Sequence, residues 1–387
     1  MPKYKFADLV YNITEKRLPV AGDEVFYIGL EHLDSGKLKV TRWGSKVAIK
    51  GEKLVMKKGD ILFGRRNTYL RRVAIAPHDG IFSAHGMIFR PKKEVINEDF
   101  FPFFIASDYF MDEAIRISVG SLSPTVNWGE LKELEFEIPN LEKQKELAKI
   151  LVAANQTKEN YEELLLKTDE LVKSQFIEMF GLLDNTKYPV VTLNDICDFI
   201  KDGTHQTPTY TDDKDSGFKF LSSKDITSGY IDWKNIKYIP EYLHKELYAR
   251  ISPQKDDILL AKNGTTGIGA IVDTDEVFDI YVSLALLRFK PGNNIKYIWT
   301  AINMPSTKNQ FDASLKGVGV PNLHLSEIRK TRIILAPKDK QDGFVSFVDQ
   351  TDKSKVNLQK GLKRLENTKN MIIQSFSNER RIKNAYV

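Results

Sequence analysis

The sequence predicts a mixed α+β protein made of two similar α/β copies in tandem, each a β-rich globular part followed by a long helix. Three observations carry that expectation. The chain repeats itself at an offset near 197, short apolar runs of β type recur in the same order in both copies, and each copy ends in a long segment with seven-residue periodicity. Length agrees, because single cores stop growing beyond roughly 250 residues and this chain has 387. At least two domains are expected. With 42% hydrophobic, 11% aromatic and 28% charged residues, the composition excludes disordered, collagen-like and disulfide-scaffold classes. A single cysteine, Cys197, excludes a CxxC zinc site and an internal disulfide.

The first element is residues 1–140. It opens MPKYKFADLVYN, where Asp8 interrupts the apolar stretch that a signal peptide needs. No apolar run approaches the roughly 18 residues of a membrane span, so a cytoplasmic protein without a membrane partner is expected. Between Lys37 and Arg72 stand twelve Lys or Arg against Glu52 and Asp60, a local charge of +10 in a chain whose net charge is +5. Charge concentrated in this way resembles the footprint of a polyanion binder rather than an ordinary solvated face. Within it, KKGDILFGRR (Lys57 to Arg66) begins a series of strand-like runs, DILFG, VAIA and MIFR.

The second element, residues 141–183, reads as a helix. Leu147, Ala154, Tyr161 and Thr168 are spaced by seven, as are Ile150, Thr157, Leu164 and Leu171, with no glycine between them. The stretch GLLDNTKYP (Gly181 to Pro189) then punctuates the chain. The third element, residues 184–337, repeats the first: QKDDILLAKN (Gln254 to Asn263) matches KKGDILFGRR at 197, and GAIV and LALLRF follow. Phe89-Arg90-Pro91 matches Phe289-Lys290-Pro291 at 200, and Pro124 and Gln144 match Pro321 and Gln341 at 197. The glycines of GTTGIG (Gly264 to Gly269) are in the wrong order for a dinucleotide site, so this stretch reads as a hairpin or a phosphate-contacting turn. Trp128, Trp233 and Trp299 read as core anchors rather than base-stacking platforms.

The fourth element, residues 338–387, is again helical. Phe344, Thr351, Leu358, Leu365 and Ile372 run in sevens, flanked by Val348, Leu362 and Phe376. Residues 155–172 carry a net charge of −3 and residues 353–383 one of +7, so the two helices are expected to pair with each other, or the second to face an acidic partner. An antiparallel coiled coil is the expected form, because the chain must return from its second globular part.

Catalytic signatures are missing. There is no GxxxxGK[ST] phosphate loop, no GxSxG elbow and no Pro-Pro pair for an amino-methyltransferase tetrapeptide. The six histidines form neither HxH nor HExxH, so no metal is expected. Nothing in the sequence supports an active site.

Several local patterns nevertheless fall in a familiar order: DGTHQTPTY (Asp202 to Tyr210) with FKFLSSKDI (Phe218 to Ile226), the paired GDILF and DDILLAKNGTTGIGAI, and GVGVPNLHLSEIRKTRIILAPKDKQ (Gly317 to Gln341) with GSLSPTVNWGELKELEFEIPNLEKQ (Gly120 to Gln144). In this order, twice, they make the chain resemble the specificity subunits of type I restriction-modification systems over its whole length. The first copy departs from the pattern in lacking the DGTHxTP stretch. The resemblance implies two target-recognition domains of mixed fold, each reading one half of a bipartite site on double-stranded DNA. It also implies an antiparallel helix pair that acts as a ruler and docks two methyltransferase subunits, with restriction subunits joining and S-adenosylmethionine held by the methyltransferase.

The residues fit that chemistry. Phosphate contacts need Lys or Arg, while base edges are read by bidentate Arg to guanine, Asn or Gln to adenine, and small polar groups. Lys57, Lys58, Arg65, Arg66, Asn67, Tyr69, Arg71 and Arg72 supply the mixture in copy one. In copy two the candidates are Thr204, His205, Gln206, Thr207, Lys224, Lys262, Asn263, Thr265 and Thr266. Two other classes remain as rivals. A methyltransferase or nuclease with degenerate motifs would bind cofactor by itself, and a coiled-coil scaffold would show no salt-sensitive DNA affinity.

Overall fold

Glycines at 59 and 64 frame the run Ile61–Phe63, which is buried along its whole length and therefore sits inside a sheet covered on both faces. The computed structural model describes residues 1–315 and 321–383, with side chains through 373. Lys316 to Val320, and with them the opening GVGV of the second-copy motif, lie outside the described residues, as does the side chain of Phe376. The chain divides into two compact units. One is Met1–Leu164 with Leu358–Val387, the other Leu165–Asn357.

In the first unit the strands are β1 (Lys3–Lys5), β2 (Val10–Ile13), β3 (Lys16–Arg17), β4 (Tyr27–Ile28), β5 (Lys53–Met56), β6 (Ile61–Phe63), β7 (Val73–Ile75), β8 (Gly80–Phe82), β9 (Met87–Pro91) and β10 (Glu135–Glu137). They form a four-stranded sheet β2-β9-β6-β7, a second sheet β3-β5-β8-β4 and the pair β1-β10. Short helices at Phe101–Ile105 and Asp108–Arg116 cover the first sheet with aromatic rings, and Phe6 meets Phe110 at 5.1 Å and Phe89 at 5.2 Å.

The second unit repeats this plan with β11 (Val190–Thr192), β12 (Cys197–Asp202), β13 (Phe218–Leu221), β14 (Lys237–Ile239), β15 (Ile258–Ala261), β16 (Gly269–Ile271), β17 (Phe278–Ile280), β18 (Leu284–Phe289) and β19 (Arg332–Ile334). Its sheets are β12-β18-β15-β16, β14-β13-β17 and β11-β19. The run GTTGIG therefore ends the β15–β16 hairpin. Cys197 is buried, and burial pushes its thiol up to about 12, which leaves it unreactive.

The repeated sequence motifs turn out to be joints of the frame. Asp60 accepts the Lys57 backbone N–H at 2.8 Å and the Arg90 guanidinium at 2.8 and 2.9 Å. Asp257 does the same with Gln254 at 2.8 Å and with Arg288 at 2.9 and 2.7 Å, so the counterpart of Arg90 is Arg288, at an offset of 198, and not Lys290 as the sequence match has it. Gln144 is buried, accepting from the Asn97 N–H at 2.7 Å and donating to the Pro139 carbonyl at 2.8 Å. Gln341 accepts from the Asn294 N–H and donates to the Ala336 carbonyl, both at 2.8 Å. Each glutamine ties the start of a long helix to its own globular part.

The long helices span Leu141–Phe180 and Lys338–Lys383. They run antiparallel within each unit. In the first, Lys158 pairs with Glu366 at 3.1 Å and Tyr161 lies against Gly361. In the second, Asp169 pairs with Lys355 at 2.5 Å and the Phe176 ring meets Phe344 at 5.4 Å. Of the two seven-residue stripes in the first helix, the one through Leu147 and Tyr161 turns inward, whereas Ile150 and Leu171 are each 50% exposed. Among the described residues no helix is long and apolar enough to cross a membrane.

Candidate nucleic-acid interface

Strand β6 separates the first unit's candidates. Lys57 and Lys58 are exposed in the turn before it, and Arg65 to Arg72 form the loop after it, roughly 10 Å away along a three-residue strand. That loop is held by its backbone: the Arg65 carbonyl accepts the Val126 N–H at 3.0 Å, and the Asn67 N–H donates to the Pro124 carbonyl at 2.7 Å. Arg66 points outward and donates to the Ser123 hydroxyl at 3.2 Å, and Tyr69 is 55% exposed. Arg71 is differently placed. Its guanidinium lies 2.5 Å from both Asp108 and Asp112, so much of its charge is already matched. Arg72 is half-buried, and its carbonyl accepts the Gly64 N–H at 2.9 Å.

In the second unit three loops converge. Gly203 begins one of them and passes so close to β17 that an added Cβ would lie 2.0 Å from the Ile280 carbonyl oxygen, so no larger residue fits. Thr204 is buried, its N–H donating to that same carbonyl at 3.1 Å, while His205, Gln206 and Thr207 are exposed beyond it. A second loop follows β15. Its Lys262, only 6% exposed, donates to the Asp202 carboxylate at 2.8 Å, and His205 reaches the same carboxylate at 3.2 Å. Burial opposes the charge on Asp202, yet Lys262, with His205 after it, holds the carboxyl below its usual range. Thr265 is exposed and Thr266 buried.

Lys224 stands exposed on the third loop, the turn Ser223–Ile226. Ser283 joins this turn to the second loop, since its hydroxyl accepts the Ser223 N–H and its carbonyl the Lys262 N–H, each at 2.9 Å. Sequence reasoning missed the residues that do the joining. Asp202 lies inside a recognised motif without being read as a partner, and Ser283 carries no local signal. Arg250 is also new: its guanidinium donates to the carbonyls of Asp202, at 2.6 Å, and Gly203, across 47 residues of sequence.

The two loops that follow β6 and β15 are equivalent. The Lys262 carbonyl accepts the Leu323 N–H at 2.8 Å as Arg65 does that of Val126, and Asn67 (φ 55°) and Gly264 (φ 75°) are both left-handed. Among the described residues no cluster of His, Cys, Asp and Glu could hold a metal ion.

A model of the type I restriction modification DNA specificity domain matches residues 18–166 and 185–367. The chain belongs to that family. The specificity subunit of the type I restriction enzyme MjaVIII, from Methanocaldococcus jannaschii, is 22% identical over 399 residues, covering 94% of this chain and 90% of that relative. Two solved structures share the fold. One, from work on complex assembly and conformational transition of the type I R-M system, covers 97% of both chains at a TM-score of 0.57 and 17% identity. The other is the type I S subunit from M. genitalium, covering 97% of this chain and 95% of that one at a TM-score of 0.53 and 14% identity. In this specificity-family chain the tandem match coincides with the duplicated frame just described, and the loops that differ between copies hang from positions that do not.

Proposed function

We propose that the chain is the DNA-recognition subunit of a type I restriction-modification complex, a non-catalytic protein that reads a bipartite site on double-stranded DNA. Residues 1–140 and 184–337 act as the recognition domains, one for each half-site. Residues 141–183 and 338–387 serve as spacer helices that set the gap and dock two methyltransferase subunits, with restriction subunits joining them. S-adenosylmethionine belongs to the methyltransferase on this reading, and the complex works in the cytoplasm.

One observation supports it above the rest. Equivalent loops with matching backbone carry unlike side chains: Arg65, Arg66 and Asn67 in one unit, Lys262, Asn263 and Gly264 in the other. A frame kept alike with its loops made different is what one scaffold needs to carry two specificities. Exposed Lys57, Lys58, Arg66 and Lys224 are suited to phosphate or base edges.

The test is to express the chain with its methyltransferase subunits in a host and map the methylated bases. The expected motif is two unlike half-sites with a fixed gap. A contiguous motif, or methylation that does not depend on this chain, would refute the reading.

A further inference from the structure

Each unit contains an isolated β-bridge at the same place. Arg66 bridges Thr125 in the first, and Asn263 bridges Asn322 in the second. Both bridges join the loop after the inner strand to the segment that enters the next short helix, Trp128–Leu131 or Leu325–Lys330. The residue after Arg66 and the residue after Asn263 are both left-handed, and the residue before each offers its carbonyl to the opposite segment, at 3.0 and 2.8 Å. Backbone is thus held constant while both bridging side chains change.

The side chains left there have hydrogen-bonding capacity that the described residues do not use. In the second unit both are amides, and the Oδ1 atoms of Asn263 and Asn322 are buried with no hydrogen-bond donor among the described residues. Buried acceptors without donors are costly and are seldom retained without a use. An amide that turns about its terminal bond offers either its oxygen or its NH2 group. Side by side, two such amides complement adenine, which presents an N6 amino donor and an N7 acceptor in the major groove. In the first unit Arg66 is exposed, and among the described residues no carboxylate lies within ion-pair distance of it, unlike the doubly paired Arg71. A guanidinium without a carboxylate partner complements guanine O6 and N7.

We propose that the bridge is the base-reading position of each unit, with Arg66 beside Thr125 taking a guanine and Asn263 with Asn322 taking an adenine. The proposal rests on the bipartite DNA reading above and names the residues that distinguish the half-sites.

Exchanging the pairs tests it in the assembled complex with methyltransferase. Asn263→Arg with Asn322→Thr should change one position of one half-site from adenine towards guanine, leaving the other half-site and the gap as they were. Arg66→Asn with Thr125→Asn should do the converse in the other half-site. Competition binding to DNA altered at that single base pair should show a shift in preference of about ten- to a hundredfold, the discrimination of a bidentate contact. Should an exchanged pair fail to assemble, the truncations Arg66→Ala and Asn322→Ser take its place, with loss of discrimination at one position as the expected result. Assembled variants that keep the wild-type motif, or that weaken binding equally for every base as a lost phosphate contact does, overturn the proposal. A wild-type complex without a bipartite motif would instead overturn the functional reading itself.

Discussion

Asp279 is 1% exposed on β17, with His244 from the helix Glu241–Arg250 bonded to its Oδ2 at 2.7 Å and its Oδ1 unpartnered among the described residues. Burial pushes its carboxyl up to about 6, against the hydrogen bond and charge of His244, which pull it down. The folded state therefore holds this proton more tightly than an unfolded chain, whose Asp titrates near 3.9. The stability that this carboxyl contributes is greatest below about pH 4 and declines as the pH rises to about 6. Thermal melting of Asp279→Asn against wild type should show it: the wild type loses stability relative to the variant over that range, and parallel pH profiles would contradict the assignment. No pattern in the sequence points to this pair, because its members are 35 residues apart and meet only through the parallel pairing of β13 with β17. Asp60 and Asp257 were visible, since the repeat GDIL and DDIL contains them. Their role as ion-paired turn anchors was not, because Arg90 and Arg288 come from another strand.

Helical periodicity was legible over both long segments, but only part of each stripe marked the buried face. Near its ends the first helix packs on globular parts, burying Leu147, Ala148 and Leu151 in the first unit and Val172, Phe176 and Phe180 in the second. That contact follows the spacing of a helix on a domain, three and four residues, and overrides the strict seven-residue seam. Between the ends, helix meets helix at Tyr161 and Gly361, where an added Cβ would lie 2.4 Å from the tyrosine ring. Glycine costs a helix interior about 1 kcal/mol relative to alanine, so its presence at 361 is explained by the ring that fills the space. Gly361→Ala should accordingly destabilise the protein, while the same substitution in a Tyr161→Ala background should stabilise it by up to about 1 kcal/mol. Denaturant unfolding of the four proteins in this cycle gives the coupling, and additive effects would mean that ring and glycine are not in contact.

At the scale of the molecule the duplication was the most legible feature, because the motifs that repeat are those that hold the frame: the turn aspartates, Gln144 and Gln341, and the inner strands β6 and β15. Loop convergence was not legible, since Asp202, Arg250, Lys262 and Ser283 come together from four separate stretches. If each unit reads its own half-site, replacing residues 1–140 by the corresponding part of a related chain should change one half-site of the methylation motif and preserve the other half-site and the gap. Motif mapping before and after the exchange checks this, and a change in both half-sites would contradict it. The division into units has one more consequence, for synthesis on the ribosome. The first unit is discontinuous: Ile373, which is translated only after the whole of the second unit, joins the cluster that contains Leu147 and Leu151. The second unit is a single uninterrupted stretch, Leu165–Asn357. Of the two units, the one that begins to emerge earlier is therefore completed later, and the apolar flank of its nascent helix stays uncovered until Ile373 has left the exit tunnel.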